Sequence, residues 1–568
     1  MNNRKRIIQN VLQFFVALVI IALAGFISST WFFRLDLTSE KKYTLSDATK
    51  KILNELPEDV YIRVYLEGDL PIGFRKLQTS TREILEEFRV YSGRKLKFEF
   101  INPSEEKDED ARKMIQELLL EKGLRPSNAQ WRDREGGMSQ KIIFPGALVN
   151  FKGMEMPVNF LRNNPGLSGT ENLNQSAEGL EYELISVIRT ISSDSIYKIA
   201  FLEGQGELFD PEVADASRAL AQYYTIDRGQ IGGNPGILDD YAAVIIARPT
   251  EKFKESDKLI LDQYLMNGGR ILWLVDPVAV DMDSLMYSSV TTAYIRDLNI
   301  NDILFKYGVR INANLIQDIQ CSFIPVNTAL VGNSPQYTPM PWAFFPLLQG
   351  ESHPVTRNLN LVRSEFVSLI DTVKGNGQIK KTFLLKTSPY SRLVGVPNLI
   401  NLRDAGSPLT EDDFNRQHLP VAVLLEGEFE SAFKNRMISG ILPAIEDDFQ
   451  SNSLSTRMIV VADADIIRND VRIQGGQAFP LELGRDRLTQ ELYGNKDFIV
   501  NAVNYLIDDS GLMELRTREM RIRMLDRARI GGAQIFWKLF NTLLPLFIVA
   551  LAGILAAYLR KRKYGRIV

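Results

Sequence analysis

Glycines and polar side chains with a potential for chemistry concentrate in three turns, each directly after a predicted strand. The first turn is Gly204, Gln205, Gly206 and Glu207, the second contains Asp276, and the third contains Asp463, Asp465 and Asn469. Ligands of open α/β sheets bind at the carboxyl ends of the strands. These are therefore the predicted ligand-binding residues.

Asp463 and Asp465 stand two residues apart and admit two interpretations. Their carboxylates can jointly hold a hard cation through oxygen ligands. Alternatively, Asp465 caps the next helix while Asp463 accepts hydrogen bonds from loop amides. The second interpretation is preferred, so no metal is predicted.

The turn from Gly204 to Glu207 also has two interpretations. Its glycines allow a backbone to approach a ligand closely, but a plain strand-to-helix turn uses the same residues. The Walker pattern Gly-x4-Gly-Lys-Ser/Thr is absent from the sequence. The chain is therefore not predicted to be an ATPase.

Residues for nucleophilic catalysis are scarce. The sequence has one cysteine, Cys321, and two histidines, His353 and His418, and it lacks Gly-x-Ser-x-Gly. A zinc site of Cys and His ligands cannot be assembled from this set. No catalytic residue and no cofactor are predicted. A hydrolase or amidotransferase-like enzyme that uses Cys321 and one histidine is the alternative hypothesis.

The elements that must position the three turns alternate between strand and helix. The predicted strands are nearly continuous apolar runs, which are typical of strands buried on both faces of a parallel sheet. The alternation predicts an α/β fold with a doubly wound, flavodoxin- or amidotransferase-like sheet. The predicted strands are 198–202, 242–247, 270–275, 419–425 and 457–462, and the predicted helices are 213–223, 255–266 and 498–506.

A small mixed α/β module is predicted before this sheet. A hairpin is expected between 140–144 and 147–151, around Pro145-Gly146. An Asn-, Gly- and Ser-rich segment, 159–176, is predicted to be a linker before a helix that begins at Ala177. The other predicted elements are strands at 60–66 and 95–101 and helices at 48–56 (capped by Ser46), 79–91 and 105–121.

Two apolar stretches, 11–33 and 535–559, are each longer than the roughly 20 residues that cross a bilayer as a helix. A cleaved signal peptide is the alternative for the first stretch, because Ala22-Leu23-Ala24 resembles a cleavage site. A buried core helix is the alternative for the second. Basic residues flank both stretches, so we predict two transmembrane helices.

A basic amphipathic helix is predicted directly before the second stretch. Its arginines are expected to contact lipid headgroups or a membrane partner. The alternative is a solvated face on which nearby Glu and Asp residues pair with the arginines. The six arginines are Arg516, Arg518, Arg521, Arg523, Arg527 and Arg529.

The ends of the chain and its middle differ in net charge. Residues 34–534 contain 58 basic and 70 acidic residues, whereas both ends are basic. Nonspecific nucleic-acid binding requires clustered positive charge, so no nucleic-acid partner is predicted. The basic ends suit anionic lipid headgroups.

The predicted organisation follows from these features. It is an N-terminal transmembrane anchor (1–35), a small α/β module (36–158), a linker (159–176), a doubly wound α/β domain (177–510), a juxtamembrane helix (511–532), a transmembrane helix (533–559) and a basic tail (560–568).

Several stretches together resemble the auxiliary, substrate-binding-like component of gliding-motility-associated ABC transporters, the GldG-type family. Their order and spacing carry the resemblance. They are IAFLEGQGE (199–207), YAAVIIARP (241–249), DQYLMNGGRILWLVDP (262–277), VVADADIIRN (460–469), NKDFIVNAVNYL (495–506) and GLMELRTREMRIRMLD (511–526).

The resemblance implies a GIFT-type domain in residues 177–510 and partnership with separate permease and ATPase subunits. It also implies a bacterial inner-membrane protein with cytoplasmic termini and a periplasmic body. A glycan or an exported protein is left open as the ligand. The expected function is a non-catalytic auxiliary subunit of an ABC transporter. A purely structural periplasmic scaffold is a further alternative.

Overall fold

The computed structural model describes residues 14–16, 19–20, 44–106, 108–132, 138–161, 168–193, 196–327, 336–373, 379–407, 409–517 and 534–564. The chain divides into two units. One unit, here called the body, is Leu45–Arg518, and the other combines Met1–Thr44 with Glu519–Val568.

The described α-helices are α1 (Asp47–Asn54), α2 (Ile72–Tyr91), α3 (Glu109–Glu121), α4 (Gly169–Ser192), α5 (Asp210–Leu220), α6 (Glu255–Met266), α7 (Met282–Ser288), α8 (Asn301–Tyr307), α9 (Asn495–Ile507) and α10 (Gln534–Tyr564).

The first ten described strands are β1 (Val60–Val64), β2 (Leu96–Phe100), β3 (Ser127–Arg132), β4 (Met138–Ile143), β5 (Gly146–Phe151), β6 (Met154–Asn159), β7 (Lys198–Glu203), β8 (Thr225–Gln230), β9 (Tyr241–Ala247) and β10 (Ile271–Leu274). Those that follow are β11 (Val278–Ala279), β12 (Val290–Ile295), β13 (Val309–Ile311), β14 (Asn314–Asp318), β15 (Cys321–Asn327), β16 (Tyr337–Gly350), β17 (Val362–Arg363), β18 (Ile370–Thr372), β19 (Lys380–Lys386), β20 (Ser391–Gly395), β21 (Asn398–Asn401), β22 (Pro420–Gly427), β23 (Thr456–Val461), β24 (Val471–Gln474) and β25 (Gln477–Pro480).

The N-terminal part of the body forms a four-stranded sheet in the order β2-β1-β5-β6. Ser46 caps α1 as predicted, because its hydroxyl accepts a hydrogen bond from the Thr49 amide at 3.0 Å. The predicted hairpin around Pro145-Gly146 is wrong: β4 pairs with β3, and β5 pairs with β6. The turn between β5 and β6 is Lys152-Gly153, and both residues have positive φ, 51° and 86°, as tight hairpin turns require.

Helix α4 begins at Gly169, so the second half of the predicted linker is helical. Ser168 and Glu171 form a reciprocal capping box at its start. The polar residues that indicated a linker include Asn172 and Ser176, which are buried on the helix. Composition was misleading here because these polar side chains are buried on a helix and not exposed in a linker.

The large sheet contains strands in the order β15-β16-β19-β22-β23-β10-β9-β7-β8, with β17 beside β16. The strands from β8 to β23 are mutually parallel. The strands from β22 to β15 are antiparallel additions. All five strands predicted for this sheet belong to it, which confirms a mixed α/β fold, but the antiparallel extension was not predicted.

Alternate residues of the parallel strands enter different cores. Leu272 and Leu274 lie in a cluster that continues through α4 into the N-terminal sheet, where it includes Ile62. Trp273 lies in the cluster on the opposite face, together with Leu259 of α6. The N-terminal part and the large sheet therefore share one core.

The first and last turns of the body contact neighbouring residues of α4. The Ser46 amide donates to Glu181 Oε1 at 2.8 Å. The Tyr182 hydroxyl donates to Met513 Sδ at 2.8 Å. The two ends of the body therefore meet on one helix.

Helix α10 contains the apolar segment Phe536–Leu559, whose mean hydropathy reaches 2.3 and of which nothing is buried. Among the described residues it is the one helix long and apolar enough to cross a membrane. Residues 14–16 and 19–20 of the first predicted span are helical and exposed. The rest of that span lies outside the described residues.

Candidate functional site

Asp276, Asp463 and Asp465 come together at the carboxyl ends of two adjacent strands. Asp276 follows β10, and the other two follow β23, which is its parallel neighbour. One carboxylate oxygen of each residue lies within 4.8 Å of the others. Three of the predicted residues therefore lie close together, as expected for residues at the carboxyl ends of neighbouring parallel strands.

Arg248 pairs with this cluster from the end of β9. Its Nε lies 3.2 Å from Asp276 Oδ2, and its Nη1 lies 3.4 Å from Asp465 Oδ1. The guanidinium supplies the positive charge that the alternative interpretation assigned to a metal ion. Arg248 was not predicted, although a charged residue directly after a buried strand was a usable signal.

Asp463 is a fully buried acceptor of amide hydrogen bonds, as the preferred interpretation predicted. Its two oxygens accept from the amides of Asp465 and Glu365 at 2.8 Å and 2.9 Å. The capping role predicted for Asp465 is wrong, because its side chain turns to Arg248 and Arg468 and makes no cap hydrogen bond.

Burial and like charge shift the proton affinity of the cluster. Burial, reinforced by the Asp465 carboxylate, raises the pKa of Asp276 to about 6. The same causes raise the pKa of Asp463 well above its ordinary value. Both shifts favour the protonated form of these two carboxyls, and the Arg248 guanidinium opposes the shift of Asp276.

The turn from Gly204 to Glu207 packs on the loop after β9. The Gln205 carbonyl accepts from the amides of Thr250 and Glu251, both at 2.8 Å. Glu207 Oε2 accepts from the Gln205 amide at 2.8 Å. Gly206 has φ +73°, and a Cβ there would lie 2.1 Å from Thr250 Oγ1. The segment is therefore a strand-to-helix turn whose conformation is fixed by its contacts with the loop after β9.

Asn469 connects its loop to the start of α5. Its Nδ2 donates to the Pro211 carbonyl at 2.8 Å, and its Oδ1 accepts from the Asp215 amide at 3.1 Å. Both polar ends of the side chain are therefore used within the body. Neither Asn469 nor the Gly204–Glu207 turn lines the cavity described next.

A cavity of about 360 Å³ opens beside the aspartates, and Asp465 forms part of its wall. Its apolar lining is Met282, Met286, Phe323, Ile324, Pro325, Phe345 and Leu488. Its polar and glycine lining is Asp283, Arg363, Glu365, Arg468, Asp470, Glu482, Gly484, Arg485, Asp486, Arg487 and Asn495. This volume lies in the range of small-molecule pockets.

Glu365 and Arg363 form an ion pair on this wall. Arg363 Nη2 lies 2.9 Å from Glu365 Oε1. Burial raises the pKa of Glu365 to about 7, although Arg363 opposes the shift. Neither residue was predicted, because Arg363 ends β17 and Glu365 follows it, and the sequence did not reveal this strand.

The residues of the enzyme hypothesis do not form a catalytic pair in the structure. Burial raises the pKa of the Cys321 thiol to about 11, which disfavours the nucleophilic thiolate. Burial lowers the pKa of His353 to about 4, and its ring packs against Tyr505 at 4.8 Å. No hydrogen bond joins Cys321 to His353 or His418, all three of which are described residues.

Arg516, near the end of the body, contacts other residues of the body. Its guanidinium donates to Asn501 Oδ1 and lies 5.3 Å from the centre of the Tyr182 ring. The segment around it, Leu512–Thr517, is a 3-10 helix and not the start of the predicted α-helix. Arg516 therefore makes contacts within the body, and the contact with headgroups or a membrane partner expected of this arginine segment stays a prediction. Arg518, Arg521, Arg523, Arg527 and Arg529 lie outside the described residues.

Comparison with known families identifies the class of protein. Residues 197–502, more than half of the chain, match the family described as an ABC-type uncharacterized transport system, and residues 39–150 match a domain of unknown function. The chain therefore belongs to the auxiliary family of ABC-type transport systems.

Other comparisons add little. Nothing among the curated proteins matches the chain. Among solved structures, the mmIFT52 N-terminal domain is similar at 14% identity and a TM-score of 0.31, over 54% of this chain and 96% of that chain. A TM-score this low carries no argument about this chain.

Proposed function

We propose that this chain is a non-catalytic, membrane-anchored auxiliary subunit that associates with the permease and ATPase subunits of an ABC transport system. The observation that carries the proposal is α10, an unburied apolar helix that follows a body of the transport family. An apolar helix of this length is stable in a bilayer, where its backbone hydrogen bonds are satisfied internally.

The anchoring is proposed to involve two spans. Residues 11–33 form the second anchor, the termini lie in the cytoplasm, and the body lies on the periplasmic side of a bacterial inner membrane. The arginines from Arg518 to Arg529 then contact headgroups or the permease. The two attachments raise the local concentration of the body beside its partners, so a modest interface suffices.

The body is proposed to have a doubly wound, GIFT-type domain that binds a transported or exported ligand at its strand ends. The cavity beside Asp465 supports this role by its position and volume. A link to gliding motility is part of the proposal and rests on the resemblance of the sequence alone.

Co-purification in mild detergent tests the association. The tagged full chain is expected to bring down a nucleotide-hydrolysing subunit and a polytopic membrane protein, identified by mass spectrometry. A matched variant, in which residues 536–559 are replaced by a polyleucine span of equal length, keeps the anchor and reports contacts specific to α10. Absence of both partners under conditions that preserve other membrane complexes would contradict the proposal.

A further inference from the structure

The cavity beside Asp465 has more negative than positive lining groups. Its six carboxylates are Asp283, Glu365, Asp465, Asp470, Glu482 and Asp486, and its four arginines are Arg363, Arg468, Arg485 and Arg487. Residues 34–534 as a whole also contain more acidic than basic residues. A cleft with negative walls concentrates cations.

Five of these carboxylates already have a cationic partner within the chain. The pairs are Glu365 with Arg363 at 2.9 Å, Asp465 with Arg248 at 3.4 Å, Asp470 with Arg487 at 3.1 Å, Glu482 with Arg485 at 2.6 Å and Asp283 with Arg468 at 3.9 Å. These pairs shape the wall and leave little charge for a ligand.

Asp486 is the exception. It is 2% exposed, and the described residues place no basic group within 4.0 Å of its carboxylate. Oδ1 accepts from the amides of Leu488 and Thr489 at 2.7 Å and 3.1 Å. Oδ2 is buried without a hydrogen-bond partner in that part of the chain. The two amides compensate part of the charge, and Arg363 interacts with Asp486 electrostatically from beyond that distance. Because a buried carboxylate oxygen without a hydrogen bond is costly, a cation beside Oδ2 would stabilise the site.

The apolar part of the lining is partly open. Met286 and Phe323 are 47% and 39% exposed, and Phe345 is buried. Aromatic and sulfur-containing side chains adapt well to apolar ligand groups. The cavity therefore combines apolar side chains with a carboxylate, Asp486, that has one oxygen without a hydrogen-bond partner among the described residues.

We propose that this cavity binds a ligand whose cationic amine or guanidinium pairs with Asp486 and whose apolar part packs on the wall around Phe323 and Phe345. A neutral sugar fits less well, because hydroxyl groups leave the charge of Asp486 uncompensated. A free amine and a basic side chain of an exported polypeptide share this chemistry. The inference rests on the proposed function in one respect, namely the route by which the ligand reaches the cavity.

Calorimetric titration of the full chain in detergent tests the site. The ligands are 2-phenylethylamine, the blocked dipeptide acetyl-Phe-Lys-amide, and 2-phenylethanol as the neutral match for the first. The amines are expected to bind about tenfold or more tightly than the alcohol, as a hydrogen bond to a charged group implies. Tighter binding of 2-phenylethylamine would indicate that the natural ligand is a small amine. Tighter binding of the dipeptide would indicate that it is a polypeptide.

Asp486→Asn keeps the shape and the Oδ1 acceptor but removes the charge. It is expected to weaken amine binding about tenfold, to leave 2-phenylethanol unchanged and to preserve or raise the melting temperature of the free protein. The control is Asp447→Asn, the same change at an exposed position outside the cavity. This control is expected to bind like the wild type.

Three results would overturn the inference. They are amine binding no tighter than binding of the alcohol, amine binding that Asp486→Asn leaves intact, and binding of a neutral oligosaccharide without amine binding. The first and third use the wild-type chain, so the test stands if the variant does not fold. If co-purification with transporter subunits fails, this titration can still detect amine binding. If the titration fails, the co-purification result still stands.

Discussion

Arg248 holds the strand-end aspartates from an unusual backbone position. Its φ is +60°, in the left-handed region, where a residue with a side chain costs about 1 kcal/mol or more. Its side chain is 12% exposed, and the two carboxylates that it contacts are 13% and 8% exposed. The ion pairs therefore form where solvent screening is weak, and they offset the strain.

Arg248→Gln is expected to lower the free energy of unfolding by about 3 kcal/mol, because it removes the close cation from Asp276 and leaves Asp465 with Arg468 alone among the described residues. Urea unfolding of the detergent-solubilised chain, followed by tryptophan fluorescence, measures the change. Arg310→Gln removes the same charge from an exposed position and serves as the control. Equal effects of the two variants would show that Arg248 does not compensate the cluster.

Glu365 makes stability depend on pH. Its pKa in the folded protein is about 7, against an ordinary value of 4.5, so the folded state binds the proton more tightly than the unfolded chain does. The stabilisation is complete below about pH 4.5 and is lost as the pH rises through about 7. Glu365→Gln is therefore expected to reduce the fall in melting temperature between these values.

Melting curves from pH 4.5 to 7.5 measure this slope. Part of the fall is expected to persist in Glu365→Gln, because Asp276, with a pKa raised to about 6, loses its proton in the same window. Glu428→Gln alters an exposed carboxyl and is expected to leave the slope unchanged. An unaltered slope in Glu365→Gln would contradict the assignment.

The residues of the site were only partly predictable. Asp276, Asp463 and Asp465 were found because they directly follow buried strands. Glu365 and Asp486 were missed because they join the cavity through tertiary folding, from segments that neither periodicity nor spacing connects with the strand ends.

Among the elements, strands were predictable where they are apolar on both faces. The parallel strands show continuous apolar runs because both of their faces are buried. Strand β16 gave no such signal, because Pro339, Pro341 and Pro346 interrupt it, and proline argues against a strand interior. Strand β19, which has no proline, was missed because its exposure is mixed and it lacks a continuous apolar run.

Helix α4 depends on its capping box more than on its composition. Ser168→Ala removes the hydroxyl that accepts from the Glu171 amide at 3.3 Å. It is expected to lower the free energy of unfolding by about 1 kcal/mol. Thr170→Ala, in the first turn but outside the box, is expected to be neutral or slightly stabilising. Chemical denaturation compares the two, and no difference between them would exclude a capping role.

At the scale of the molecule, α4 joins the N-terminal part to the large sheet. Ile185 is fully buried in the core that both share. Ile185→Ala is expected to lower the stability of both parts by about 3 kcal/mol. Hydrogen exchange followed by mass spectrometry is expected to show faster exchange in β1 and β10 together.

The control for this test is Ile72→Ala, which truncates a side chain that is 87% exposed. It is expected to leave exchange in both strands unchanged. Loss of protection in β1 alone would show that the N-terminal part unfolds independently of the sheet.

The meeting of both ends of the body on Glu181 and Tyr182 has a mechanical consequence. Tension applied to the two ends of the body is expected to load their contacts with α4 before it loads the strands of the large sheet, because both ends lie beside that helix.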